Sequence, residues 1–228
     1  MKRLGIIGGL GPETGCRFLL SVNNKFRKLN NCQPDLVLEN LPVSAVAESR
    51  IINGKLSKEH FDLLVKAVKN LNKSEVDFIF IPCNTVHVFI NKLRRLSKVR
   101  IVSIIEKTSK ECKRLNLSKV GIIGSTKTIK SKLHFNELKK SGIKAISPEK
   151  NDQVKISKII IKIIHNKANK KDELFLFKLI LKLKQKGAEA IILACTDLPL
   201  LVSQEKSTLP LINTLEILAN SAVKLLNN

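Results

Sequence analysis

The chain contains two copies of the same unit. Lys119-Val120-Gly121-Ile122-Ile123-Gly124 repeats Arg3-Leu4-Gly5-Ile6-Ile7-Gly8, and AEAIILACT at Ala188 to Thr196 repeats VDFIFIPCN at Val76 to Asn84. Gly5 to Cys83 and Gly121 to Cys195 span nearly equal lengths. Self-similarity at a fixed spacing constrains a chain to like structural units. In each copy a cysteine closes an apolar run.

The first copy sets out the rhythm. Arg3 to Ile7 reads as a strand ending in Gly8, Gly9 and Gly11, with Pro12 and Glu13 suited to the first turn of a helix running toward Lys28. Strands follow at Asp35 to Glu39, Asp77 to Pro82 and Ile101 to Ile104, separated by helical patterns at Lys58 to Leu71 and Val86 to Leu96. Such alternation predicts an α/β fold of two pseudo-symmetric lobes, each a parallel sheet flanked by helices, with a cleft between them. Glu106 to Leu117 reads as a helical join, Leu209 to Ile212 as a last strand and Thr214 to Leu226 as a last helix. Chain ends often lie close together, so the expected division is residues 1–105 plus 210–228 for one lobe and 106–209 for the other.

The 228 residues are 43% hydrophobic, as in a globular protein. No apolar run approaches the roughly 20 residues of a bilayer span. The start, MKRLGIIGGLGPE, lacks the continuous apolar stretch of a secretory signal. Five cysteines with no CxxC pair fit a reduced compartment rather than a disulfide framework or zinc site, so a cytoplasmic protein is expected. His60 and His134 have no metal-ligand spacing around them, and no metal is expected. Lys+Arg 41 against Asp+Glu 19 leaves a net charge of +22. The lysines recur at spacings suited to solvated helix faces, densest from Lys155 to Lys171. With no Trp or Tyr to stack on bases, nucleic acid is not the expected partner. A binding protein with a basic surface stays as the rival from outside enzymology.

In open α/β sheets ligands bind beyond the carboxyl ends of the strands, where Cys83 and Cys195 fall. The adjoining Asn84, Thr85 and Thr196 offer hydroxyls and backbone N–H groups, and a helix N-terminus there would lower a thiol pKa from about 8.5. Two such thiols facing across a cleft suit a two-base racemisation: one removes the Cα proton while the other delivers a proton to the opposite face. Cys16, Cys32 and Cys112 lack such neighbours. Gly8-Gly9-Leu10-Gly11 is not a dinucleotide fingerprint.

PCNTVH at Pro82 to His87, ACTDLPLL at Ala194 to Leu201 and GIIGGLGPE at Gly5 to Glu13 resemble the PLP-independent aspartate/glutamate racemase family, and the aspartate racemase branch in particular. VSIIEKT at Val102 to Thr108 and GIIGSTKTI at Gly121 to Ile129 extend the likeness over nearly the whole chain. The resemblance implies an isomerase without cofactor, commonly a homodimer, acting on a small acidic amino acid, aspartate first and glutamate second. It makes Cys83 and Cys195 the acid/base thiols. Asn84, Thr85 and Thr196 would hold the α-carboxylate and amino group, with Leu10 and Thr126 nearby. Arg50 resembles the arginine that grips the side-chain carboxylate. His165, with Lys167 two residues on, stands where a lysine assists that grip. Three departures bear on substrate choice: the Glu48-Ser49-Arg50 context, His165 itself, and Asp197 in place of glutamate. A hydantoin racemase or a maleate isomerase is the rival within the superfamily.

Overall fold

The computed structural model describes residues 1–11 and 13–228; Pro12, expected in the first helical turn, lies outside the described residues. The first half runs β1 (Arg3–Gly8), α1 (Thr14–Asn30), β2 (Asp35–Asn40), α2 (Ala45–Ile52), α3 (Lys58–Lys73) and β3 (Phe78–Phe80). A 3-10 turn at Thr85–Phe89, α4 (Ile90–Leu96) and β4 (Arg100–Val102) complete it. The second half runs α5 (Ile104–Arg114), β5 (Lys119–Gly124), α6 (Thr126–Lys130), α7 (Leu133–Lys140), β6 (Lys144–Ile146) and α8 (Lys150–Ile164). It continues through α9 (Lys170–Gln185), β7 (Ala190–Ala194) and β8 (Leu211–Asn213) to α10 (Thr214–Leu226).

The sequence repeat is a structural repeat. The sheets are ordered β2-β1-β3-β4 and β6-β5-β7-β8, and every recorded pairing is parallel. Gly5 faces Ile79 in the first and Gly121 faces Ile191 in the second, the same positions of the repeated motif. The Asp77 N–H donates to the Arg3 carbonyl at 2.8 Å, and the Glu189 N–H to the Lys119 carbonyl at 2.9 Å. Each cysteine motif therefore emerges at the C-terminal edge of an interior strand, beside the turn that leaves β1 or β5.

Both faces of each sheet are covered, which is why the strands read as continuous apolar runs. In the first sheet Leu4, Ile6 and Phe80 pack against Phe18 of α1 and Leu218 of α10, while Ile7, Ile79 and Ile81 pack against Leu64 and Leu71 of α3. In the second, Ile123 and Ile191 meet Ile160 and Leu183, and Val120, Ile122 and Ile192 meet Leu138 and Cys112. Each fully buried Leu, Ile or Phe contributes about 1.5–3 kcal/mol.

Several boundaries differ from expectation. The third strand is confined to Phe78–Phe80, and β4 stops at Val102 because Ser103 caps α5, its Oγ accepting from the Glu106 N–H at 3.3 Å. Val86 to Leu96 begins as a 3-10 turn before becoming helical at Ile90. The last strand pairs with β7 and belongs to the second sheet, whereas α10 packs on α1 and α5, so the chain returns to the first lobe after Asn213 rather than at residue 210. The dense basic stretch spans α8 and the start of α9. Lys162 pairs with Asp172 at 2.8 Å and Lys170 with Glu173 at 2.6 Å there, and no helix among the described residues is long and apolar enough to cross a membrane.

Candidate active site

Cys83 sits in the turn between β3 and the 3-10 segment. The Cys83 N–H donates to the Ile81 carbonyl at 2.8 Å. His87, four residues on and wholly buried, fixes the turn from below. The Ile104 N–H donates to its Nε2 at 3.2 Å, so Nδ1 carries the ring proton and donates to the Cys83 carbonyl at 2.7 Å. Burial pushes the His87 imidazolium pKa down to about 4, which keeps that ring neutral. His87 thus orients the Cys83 backbone and does not reach the thiol through this bond.

Cys195 follows β7 directly. Its thiol donates to Asp197 Oδ2 at 3.6 Å, while Asp197 Oδ1 accepts from Thr14 Oγ1 of the other lobe at 2.7 Å. Gly11, at φ +144°, leaves room for this contact: a side chain there would press on Thr14 Oγ1 and Asp197. Gly9, at φ +75°, lets the same turn approach the Leu41 backbone, which any Cβ would strike.

The lobes are joined by buried polar bonds around the thiols. Asn84 Nδ2 donates to Thr214 Oγ1 at 3.0 Å, Thr214 donates to the Leu193 carbonyl at 2.9 Å, and His134 Nε2 donates to Asn84 Oδ1 at 2.9 Å. Among the described residues His134 Nδ1 has no partner, and burial lowers the pKa of this ring to about 3. Thr85 Oγ1 lies 2.9 Å from Ser125 Oγ and 3.0 Å from Thr128 Oγ1, and Thr196 Oγ1 donates to the Pro82 carbonyl at 3.2 Å. Each motif's turn is held by groups from the opposite half of the chain.

A single cavity collects both cysteines with Leu10, Asn84, Thr85 and Thr196; its remaining walls are Glu48, Ile51, Ile52, Ser125, Ile160, Ile164 and Asp197. It measures about 20 Å³, room for little more than one water, so an amino acid enters only when the walls part. Enclosure reverses the expected thiol chemistry. Burial, reinforced by Asp197 and Glu48, outweighs the N–H groups of Val86 and Thr85 and raises Cys83 to about 11. Burial and Asp197 likewise push the Cys195 pKa well above its ordinary value. Both thiols are protonated in this closed state.

Three expected substrate contacts lie elsewhere. Arg50 and His165 are exposed and line a separate surface groove with Val46, Ser49, Asn53 and Lys55. Thr126 Oγ1 is 2.8 Å from Ser157 Oγ, and its neighbour Ser125 faces the cavity instead. The strands and helices expected from the sequence do not include α2. This helix begins at Ser44, whose Oγ accepts from the Ala47 N–H at 3.2 Å, and His60 Nε2 of α3 donates to the Ala47 carbonyl at 3.1 Å. So anchored, α2 turns Glu48 inward and Arg50 outward, as positions two apart on a helix must. Burial, then Asp197, raises the Glu48 pKa, with His165 offsetting in part. Among the described residues, no group of three His, Cys, Asp or Glu side chains is placed to hold a metal ion.

Comparison with known proteins places this architecture. The chain is 28% identical to the broad specificity amino-acid racemase RacX of Bacillus subtilis (strain 168) over 225 residues, 96% of each chain. The aspartate racemase of Picrophilus torridus superposes with a TM-score of 0.83 at 22% identity, covering 100% of this chain and 95% of that one. The glutamate racemase of Francisella tularensis subsp. tularensis SCHU S4, in complex with D-glutamate, gives 0.68 at 17% identity over 99% and 81%. At such identities the structures speak for the fold alone. The family model described as Asp/Glu/Hydantoin racemase matches residues 7–222, and the chain belongs to that family.

Proposed function

We propose that the protein is a cofactor-independent amino-acid racemase in which Cys83 and Cys195 are the opposed acid and base. The observation that carries the reading is the single cavity lined by one thiol from each copy of the repeat. In one direction a thiolate takes the Cα proton and the opposite S–H protonates the other face, so the enantiomer forms with no net change of protons. The reverse reaction exchanges the roles. Asp197, which accepts the Cys195 S–H, is the group that readies this thiol. Asn84, Thr85 and Thr196 bind the α-carboxylate, where negative charge develops as the Cα–H bond breaks. The α-ammonium of the substrate brings positive charge into a cavity where burial, reinforced by Asp197, holds both thiol pKa values up, and so favours thiolate formation.

Family membership and the similarity to a racemase of broad specificity both support this activity. Aspartate and glutamate, the substrates first expected, relied on Arg50 and His165, which stand outside the cavity. The reading also includes a homodimer and a reducing, cytoplasmic setting that keeps both thiols free; light scattering checks the former. The activity is tested by incubating reduced protein, without added cofactor, with L-alanine, L-lysine, L-aspartate and L-glutamate, followed by chiral chromatography. Formation of a D-enantiomer is the expected result. None from any amino acid, with both thiols titrating as free, overturns the reading.

A further inference from the structure

Resting on that racemase reading, we infer that His134 is a positioning residue of the site. It fixes which way round the Asn84 amide stands, so that Asn84 offers the substrate an N–H and binds the α-carboxylate rather than the α-ammonium. The polarity is set at one end of a buried chain of hydrogen bonds. The Leu193 carbonyl can only accept, so Thr214 Oγ1 donates to it at 2.9 Å. The Thr214 hydroxyl has no second hydrogen, and the Asn84 group 3.0 Å from it must therefore be the donor, Nδ2. That turns Asn84 Oδ1 toward His134 Nε2 at 2.9 Å, and Nε2 must carry the ring proton.

His134 belongs to α7 in the second half of the chain, whereas Asn84 follows Cys83 in the first. The side chains of this network are sealed from water, with His134 at 1%, Asn84 at 2% and Thr214 at 0% exposure. Among the described residues His134 Nδ1 has no partner, so a proton there would be buried without an acceptor. The ring is thus held neutral with its proton on Nε2. Were the Asn84 amide reversed, its Nδ2 would meet the Nε2–H, and its Oδ1 would meet a hydroxyl whose hydrogen is given to Leu193. Held as it is, Nδ2 gives one hydrogen to Thr214 and keeps another with no acceptor among the described residues, and Asn84 lines the cavity that holds both thiols. The hydroxyls of Thr85 and Thr196 can rotate to donate or accept, and so suit either group on Cα. Asn84 has no such choice while His134 holds its carbonyl.

Two measurements test this role. In NMR of labelled histidine at neutral pH, wild-type His134 should be a neutral ring with its proton on Nε2; a proton on Nδ1 overturns the assignment. His134→Phe keeps a flat ring and removes the donor, and kcat/KM for L-alanine should fall about tenfold, as for one hydrogen bond supporting a charged contact. In an Asn84→Ala background the same substitution should change kcat/KM by less than about twofold, because no amide is left to position. Equal losses in both backgrounds would make His134 a packing residue and overturn its positioning role. The ring proton is read on the wild-type protein, so it decides the matter even where His134→Phe fails to fold. Calorimetry with L-alanine on the Cys83→Ser/Cys195→Ser protein repeats the comparison of backgrounds without turnover. If no amino acid is racemised, the reaction reading fails, while the ring proton and the binding comparison still uphold or overturn His134.

Discussion

Thr14 Oγ1 donates to Asp197 Oδ1 at 2.7 Å, a buried bond between residues 183 positions apart that closes one wall of the cleft. It holds one carboxyl oxygen in place and leaves the other to the Cys195 thiol at 3.6 Å. The first helix of one lobe thereby aims the carboxyl that serves the thiol of the other.

Thr14→Val keeps the shape and removes the donor. A hydrogen bond to a charged or acidic group is worth about 1.5–3 kcal/mol, so a stability loss of that size is expected in urea denaturation. Because Asp197 would then be free to turn from Cys195, kcat should fall about tenfold with KM nearly unchanged. Loss confined to stability would limit Thr14 to a structural part.

Acid should destabilise the protein through its buried histidines. Folding lowers the His87 pKa from 6.5 to about 4 and the His134 pKa from 6.5 to about 3. The fold therefore favours the neutral rings: their contribution is complete above the unfolded value and lost as the pH falls from there through the folded one. At about 1.4 kcal/mol per unit, His87 alone accounts for on the order of 3 kcal/mol. Urea midpoints at about pH 7 and about pH 4.5 should reveal a loss of at least about 2 kcal/mol, and NMR of labelled histidine should find these two rings untitrated above about pH 5. A ring at either position titrating near 6.5 would contradict the hydrogen-bond assignment.

Arg50→Ala should change kcat/KM by less than about twofold on aspartate, alanine and lysine alike, since an exposed substitution outside the cavity removes no substrate contact. Steady-state rates on the three amino acids check it. A selective loss on aspartate would bring Arg50 into the site.

What the sequence disclosed and what it hid divide on physical grounds. The paired strands and their cysteines were legible because burial on both faces makes each strand a continuous apolar run, and Cys83 and Cys195 end those runs. Asn84, Thr85 and Thr196 adjoin them in sequence and Leu10 lies in the turn that leaves β1, so they fell into the cavity too. Glu48 could not be found that way. Its helix is eight residues long, and which of Glu48 and Arg50 faces inward depends on the Ser44 cap and the His60 bond from α3. The capping pattern at Ser44 was the available signal for the helix, while the family resemblance pointed to Arg50. Thiol pKa values were also beyond the sequence, because an N–H donor is a local feature while desolvation arises from walls that Ile51, Ile160 and Ile164 bring from afar.

The central claim, one thiol on each face of Cα, is tested most directly by where deuterium goes. L-lysine and L-alanine would be incubated with the reduced protein in D2O and stopped at low conversion, and the two enantiomers separated and weighed by mass spectrometry. Two opposed thiols predict a D-enantiomer carrying deuterium at Cα and a remaining L-enantiomer still carrying protium. Equal deuterium in both would mean a single group working on both faces, and would contradict the account.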